Sequence, residues 1–216
     1  MKLSHLLKMH LLCTILAMCP IAFAQKLEPV PLPKPQTEIG RPLMQVLKDR
    51  SSARDFRSDK LPGQVLANLL WAAFGVNRPD SGKRTAPSAM NWQEMDIYVA
   101  TDDGLYVYDA IRNQLNPVLH EDVRAQTGTQ PFVKDAPLNL VYVANLAKTS
   151  GSGEERDMFV AADAGFIAQN VYLFCASEKL ATVVRGSVDR PALAKVMHLR
   201  GDQRIILAQT VGYPKM

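Results

Sequence analysis

Residues 157–179 place apolar side chains at helical spacing almost all the way round. A helix with one apolar stripe lies on a surface, whereas one apolar on most faces has to be enclosed by other elements. The chain must therefore supply a shell around this segment. Its 216 residues are enough for one ordinary domain or two very small ones. With 47% apolar and 21% charged residues the balance is that of an average globular chain, which excludes a disordered tail, a collagen-like repeat and a disulfide-dense mini-domain. A net charge of +4, with no basic cluster, excludes the face of a nucleic-acid binder.

The shell is legible in outline. Leu43, Val46 and Leu47 form a short helical stripe that ends in a polar run over residues 49–59. Pro62 opens a stronger helix carrying Val65, Leu66, Leu69, Leu70 and Ala73, with Gly75 as its C-cap. Residues 77–88 are rich in Gly, Pro and Ser and read as a loop. Residues 95–101 alternate like a strand and turn at Asp103-Gly104 into residues 105–108, a hairpin. Residues 138–143 read as a buried strand, 150–153 as a flexible loop, 181–184 as a short strand, 189–197 as a helix and 204–212 as a last strand. This predicts an α+β domain in three layers, α/β/α, with a mixed, mainly antiparallel sheet around the buried helix.

The first 24 residues read as an export signal. Lys2 and Lys8 flank the start, an apolar run follows, and Ala22-Phe23-Ala24 matches a small-x-small cleavage site before Gln25. A retained anchor helix and a lipoprotein acylated at Cys19 are the alternatives; the run is short for a span, and Met18 and Pro20 do not suit acylation. No twin-Arg pair is present, so export as an unfolded chain to the periplasm or outside is expected. Removing the signal lowers the net charge to about +2 and removes Cys13, Cys19, His5 and His10. Cys175 then remains alone without a disulfide partner, and His120 and His198 are a poor inventory for a metal, so no metal site is expected. Residues 25–41 carry Pro29, Pro31, Pro33 and Pro35 and read as an extended leader on the surface or a spacer, with the folded domain over 42–216.

No G-x-S-x-G elbow, P-loop or Cys-x-x-Cys pair occurs. His120 and His198 read as exposed or capping residues, and Cys175 as a small buried hydrophobe. Three segments carry more. Arg50, Ser51, Ser52 and Arg54 bring two guanidiniums and two hydroxyls together, a set that matches phosphate oxygens. Pro87, Ser88, Ala89 and Asn91 form a compact loop, whose Asn has the donor and acceptor needed to read an imide-like edge. Residues 180–186 run through Val183, Val184, Arg185 and Gly186 into a small-residue turn that lets backbone N–H groups approach a flat ligand. Alone, each also fits a solvated helix end, a plain turn or an ordinary helix–strand connection.

In order and spacing the three segments resemble the FMN-dependent nitroreductase-fold family, nearest to its SagB/ThcOx-type dehydrogenase branch, over about residues 42–214. The family's R-[RHS]-S-x-[RK]-x-F segment is matched by Arg50, Ser51, Ser52, Arg54 and Phe56, and its P-S-A-x-N loop by Pro87, Ser88, Ala89 and Asn91. Its A-A-Q-N helix is matched by Ile167-Ala168-Gln169-Asn170, its following turn by residues 182–186, and its closing strand by Val211-Gly212-Tyr213-Pro214. The resemblance implies FMN as cofactor, with Arg50, Ser51, Ser52 and Arg54 at the phosphate and ribityl chain. It puts Asn91 at the pyrimidine edge, and a backbone N–H of residues 183–186 at the ring N5. Arg185, if it faces the ring, would favour the anionic reduced flavin.

Many relatives continue past the closing strand with a basic arm around the partner subunit. This chain stops at Lys215-Met216, so phosphate neutralisation is expected to rest on Arg50 and Arg54, aided by Lys215 or Arg204. The resemblance also implies a homodimer. The functional expectation is an exported FMN-dependent oxidoreductase that passes hydride or electrons to or from a small substrate by a ping-pong mechanism. The alternatives are a non-catalytic module that binds flavin or another planar ligand, and a peptide-modifying dehydrogenase acting on azoline-type rings. No peptide-binding extension is recognisable for the last of these.

Overall fold

The computed structural model describes residues 28–215, so the expected signal peptide lies outside the described residues. In chain order the elements are β1 (Val30–Pro31), α1 (Leu43–Asp49), α2 (Gly63–Phe74), β2 (Val76–Arg78), β3 (Lys83–Arg84), β4 (Met95–Thr101), β5 (Gly104–Asp109), β6 (Gln114–Leu119), β7 (Leu138–Asn145), α3 (Gly153–Ser177), β8 (Ala181–Arg185), α4 (Arg190–Val196) and β9 (Gln203–Gly212). Local chemistry sets several boundaries. Pro62 precedes α2, where its missing N–H costs nothing, and its carbonyl accepts from Leu66 N at 3.0 Å. Gly75 ends α2 with its N–H on Trp71 O at 2.8 Å, and a Cβ there would lie 2.4 Å from the Trp71 ring. Glu154 and Glu155 in the first turn of α3 complement its dipole.

Seven strands form one antiparallel sheet in the order β1-β6-β5-β4-β7-β9-β8. One face packs α2 and α3 through Leu69, Leu70, Val99, Leu140, Ile167 and Val171, all with no exposed surface. The other packs α4 and its neighbours through Leu193, Met197, Val123 and Val141. The result is the three-layer α/β/α arrangement expected. Enclosing each Leu or Val of these layers is worth roughly 1.5–3 kcal/mol. Helix α3 is long and apolar enough to cross a membrane, but it is the core helix between the sheet and α2.

Two features differ from the sequence reading, and a third chooses between its alternatives. The loop expected over 77–88 contains the β2–β3 ribbon. Strand β6 was not anticipated, because Pro117 and its polar residues break the alternation. The leader does not stand away from the domain over residues 30–36. Val30 and Pro31 pair with Leu115 and Gln114 as an edge strand, where a proline is tolerated. Asn113 Nδ2 donates to Leu32 O and Pro33 O, Gln64 Nε2 to Lys34 O at 2.9 Å, and Gln36 N to Asn68 Oδ1 at 2.8 Å.

Candidate functional site

The centre of the site is a hydroxyl on α3. Tyr172 Oη lies 2.8 Å from Ser52 Oγ and accepts the Val184 N–H at 3.0 Å. The Arg50 guanidinium sits over the same ring, 5.3 Å from its centroid. Ala53 N donates to Thr182 O at 3.0 Å, so residues 50–53 run beside the outer edge of β8. The sequence-predicted arginine/serine segment and the 182–186 segment are therefore brought together. Tyr172 joins them, although in the sequence it is one more apolar-phase position of α3.

The segment is anchored downstream by Phe56, which is buried against Phe132, with ring centroids 5.6 Å apart, and bridges to Pro214. Arg57 N donates to Tyr213 O and Lys215 N to Asp55 O. Arg54 is exposed and faces a cavity of about 900 Å³ that Lys215, Arg124 and Lys134 also line. Among the described residues neither Arg50 nor Arg54 has a carboxylate partner. Lys215 thus keeps its expected place near Arg54. Arg204 does not: it bonds Asp157 Oδ2 at 2.8 Å and pairs with Ala144, at the opposite end of the strand whose exit leads to Pro214.

The third segment docks on the same helix. Ala89 N donates to Asp163 Oδ2 at 2.8 Å, nine positions before Tyr172, about 13 Å along the axis. Between these two points α3 exposes Gly165, Phe166 and Gln169. Pro87, Ser88 and Asn91 line a cavity of about 220 Å³ with Arg78, Lys83, Arg84 and Gln93. The Asn91 side chain is exposed, its Oδ1 accepting from Gln93 Nε2 at 3.2 Å. Beneath the loop lie two enclosed carboxyls, Glu94 and Asp163, which sequence reasoning missed. Glu94 is a single acid just before β4 and Asp163 a single acid inside α3, and no spacing rule links positions so far apart.

The condition set on Arg185 is not met. Its side chain points to the face of β8 away from Tyr172, where it is buried. Nε donates to Thr210 Oγ1, Nη1 to Thr127 O at 2.9 Å and Nη2 to Asn139 Oδ1. Burial without a counter-ion pulls its pKa down to about 10. Gly128 makes room for it, since a Cβ there would lie 1.8 Å from Nη1. The guanidinium is a structural cation, so it does not face a ring beside Tyr172. Cys175 is enclosed in α3, and burial raises its thiol pKa far above the usual range.

The family model for the nitroreductase family matches residues 47–213. A candidate nitroreductase of Methanocaldococcus jannaschii is 30% identical over 169 residues, 73% of this chain and 85% of that protein. The crystal structure of a candidate nitroreductase from Ralstonia eutropha JMP134 is 43% identical, with a TM-score of 0.81 over 89% of this chain and 97% of that one. The NADPH:FMN oxidoreductase of Vibrio harveyi shares the fold at 18% identity, with a TM-score of 0.61 over 81% of this chain and 69% of that one.

Proposed function

The chain belongs to the nitroreductase family and is an oxidoreductase, and from that premise we propose that it works with bound FMN on a small substrate. The observation that carries this reading is the Tyr172 hydroxyl joining Ser52 to Val184 beside Arg50. Two guanidiniums without carboxylate partners among the described residues and the hydroxyls of Ser51 and Ser52 fit a phosphate at one end of α3. At the other end, Asn91 has its side-chain N–H groups available for an imide edge. The residues present therefore fit the group. Bound flavin would supply two-electron chemistry, taking hydride or electrons from a donor and passing them to an acceptor in a second half-reaction.

The chain's own residues bind and orient. Arg50 and Arg54 neutralise the phosphate, and Ser51 and Ser52 complete its shell. The outward N–H groups of an antiparallel edge strand alternate, and that of Val184 is committed to Tyr172. The next in phase is Gly186 N–H, our candidate donor to the ring N5. Pro87, Ser88 and Ala89 carry Asn91, and no side-chain base is required. The collinear R-S-S-x-R-x-F and P-S-A-x-N motifs support placement in the SagB/ThcOx-type branch.

A homodimer is part of this proposal. Leu43, Met44 and Leu47 of α1 and Met158 and Phe166 of α3 expose apolar surface, from 43% to 75% of each side chain's reach, as a subunit contact requires. Export, proposed from residues 1–24, implies that flavin is acquired outside the cytoplasm and that the electron donor is not a nicotinamide.

Purified protein incubated with FMN should turn yellow, and after dithionite reduction it should pass electrons to a quinone or a nitroaromatic. Yellow protein that transfers nothing would favour a non-catalytic flavin carrier, and colourless protein would overturn both.

A further inference from the structure

The loop that presents Asn91 is strained. Met90, Asn91 and Gln93 have φ of 49°, 55° and 48°, a left-handed backbone that side-chain-bearing residues rarely adopt. Three such residues within four positions require something to hold them. Ser88 supplies part of it, accepting Gln93 N at 2.8 Å on its hydroxyl and donating that hydroxyl to Glu94 Oε2 at 3.2 Å. Asp163 supplies the rest, accepting Ala89 N at 2.8 Å.

The two acids behind these bonds are enclosed and hold adjacent residues of the loop, Ser88 and Ala89. Glu94 Oε1 has no donor among the described residues, so a neutral carboxyl with its proton directed at Asp163 satisfies both groups. Among the described residues no cation intervenes. Arg84, from β3, donates to Gln93 Oε1 at 2.8 Å, and Lys148, from the turn after β7, binds Gln93 O and Asp96. Ser88 is the neutral group facing the pair from the loop.

We propose that Glu94 and Asp163 share one proton and act as positioning residues for the flavin-reading loop, so that losing this proton loosens FMN. The proposal rests on the flavin reading above. Release of the proton to water leaves two carboxylates facing each other in an enclosed space. Their repulsion is relieved by drawing Ser88 and Ala89 off the pair, which lets residues 90–93 relax. Burial and the neighbouring Asp163 charge push the Glu94 carboxyl up to about 7, and burial raises Asp163 as well, so the step falls near neutrality.

The test compares wild type with Glu94→Gln, whose amide can still donate to Asp163 but cannot titrate. Tryptophan fluorescence of flavin-free protein reports the loop through Trp92, which packs edge-on against Phe159. Wild type should show a transition with its midpoint near pH 7, and about a fivefold or greater loss of FMN affinity between pH 6 and 8.5. Glu94→Gln should lack the transition and keep its affinity, apart from the titration of the FMN phosphate itself. A variant with the wild-type pH profile, or a wild type with none, overturns the proposal.

If FMN binds neither protein at any pH, the flavin reading falls and the fluorescence arm alone decides the clamp. If Glu94→Gln does not fold, infrared spectra of wild type take its place. A protonated carboxyl band at pH 6 that is gone by pH 8.5 supports the pair, and its absence overturns it.

Discussion

Tyr172 Oη stands 2.8 Å from Ser52 Oγ, and this contact fastens the arginine-bearing loop to the central helix. The same oxygen takes the Val184 amide, so one side chain sets the spacing between the loop and the edge strand. Tyr172→Phe keeps the ring under Arg50 but leaves the Val184 N–H without an acceptor. We expect a loss of about 1–2 kcal/mol in urea unfolding, together with at least a tenfold weaker FMN affinity by fluorescence titration. A variant that is destabilised but binds FMN normally would place Tyr172 in the scaffold only.

Arg50 and Arg54 are expected to act on the phosphate and not on the ring. Replacing both with Ala should weaken FMN binding by tenfold to a hundredfold, as losing charge-assisted bonds does, and leave lumiflavin, which has no phosphate, within about twofold. Equal losses for the two ligands would remove the pair from that role.

Stability should itself depend on pH through Glu94. Its folded pKa is raised from 4.5 to about 7, so the folded state holds this proton more tightly than the unfolded chain. The stabilisation is complete below about pH 4.5 and is lost as pH rises through about 7, on the order of 3 kcal/mol in all. Calorimetry should show a lower Tm at pH 8 than at pH 5.5, and Glu94→Gln should flatten the difference.

The exposed apolar residues of α1 and α3 give the test of assembly. Met44 and Phe166 are 75% and 47% exposed, so charge at either site leaves the monomer core intact. Phe166→Glu with Met44→Glu should convert a dimer to a monomer by light scattering while far-UV circular dichroism stays unchanged. A wild type that is already monomeric would remove the dimer from the proposal.

The strongest periodic signals in the sequence belong to elements whose pattern follows directly from burial. Helix α2 has a single apolar face and is bounded by Pro62 and Gly75, and α3 is apolar on most sides, packed by α1, α2 and the sheet while Met158 and Phe166 stay open for the proposed subunit contact. The arginine, proline–serine and 182–186 segments were found by residue chemistry and order. What escaped was long-range. Tyr172, Glu94 and Asp163 look like interior positions until the fold brings their partners within reach. Whether Arg185 faced the ring stayed open, because strand alternation does not reveal that Thr127, Asn139 and Thr210 wait on the other face. Strand β6 escaped because Pro117 is admissible only on an open edge or beside an irregularity in pairing; β1 covers just Leu115 and Gln114, and the register shifts between Leu105 and Tyr106.

The docked leader has a consequence for handling the protein. Residues 30–32 cap the start of the outer side of β6, so a version trimmed to residue 42 would bare the amide and carbonyl groups of residues 113–115 and extend the open edge over the whole strand. Such an edge invites zipping between copies, and the shortened protein would aggregate even though no residue of the flavin-binding surface had been touched.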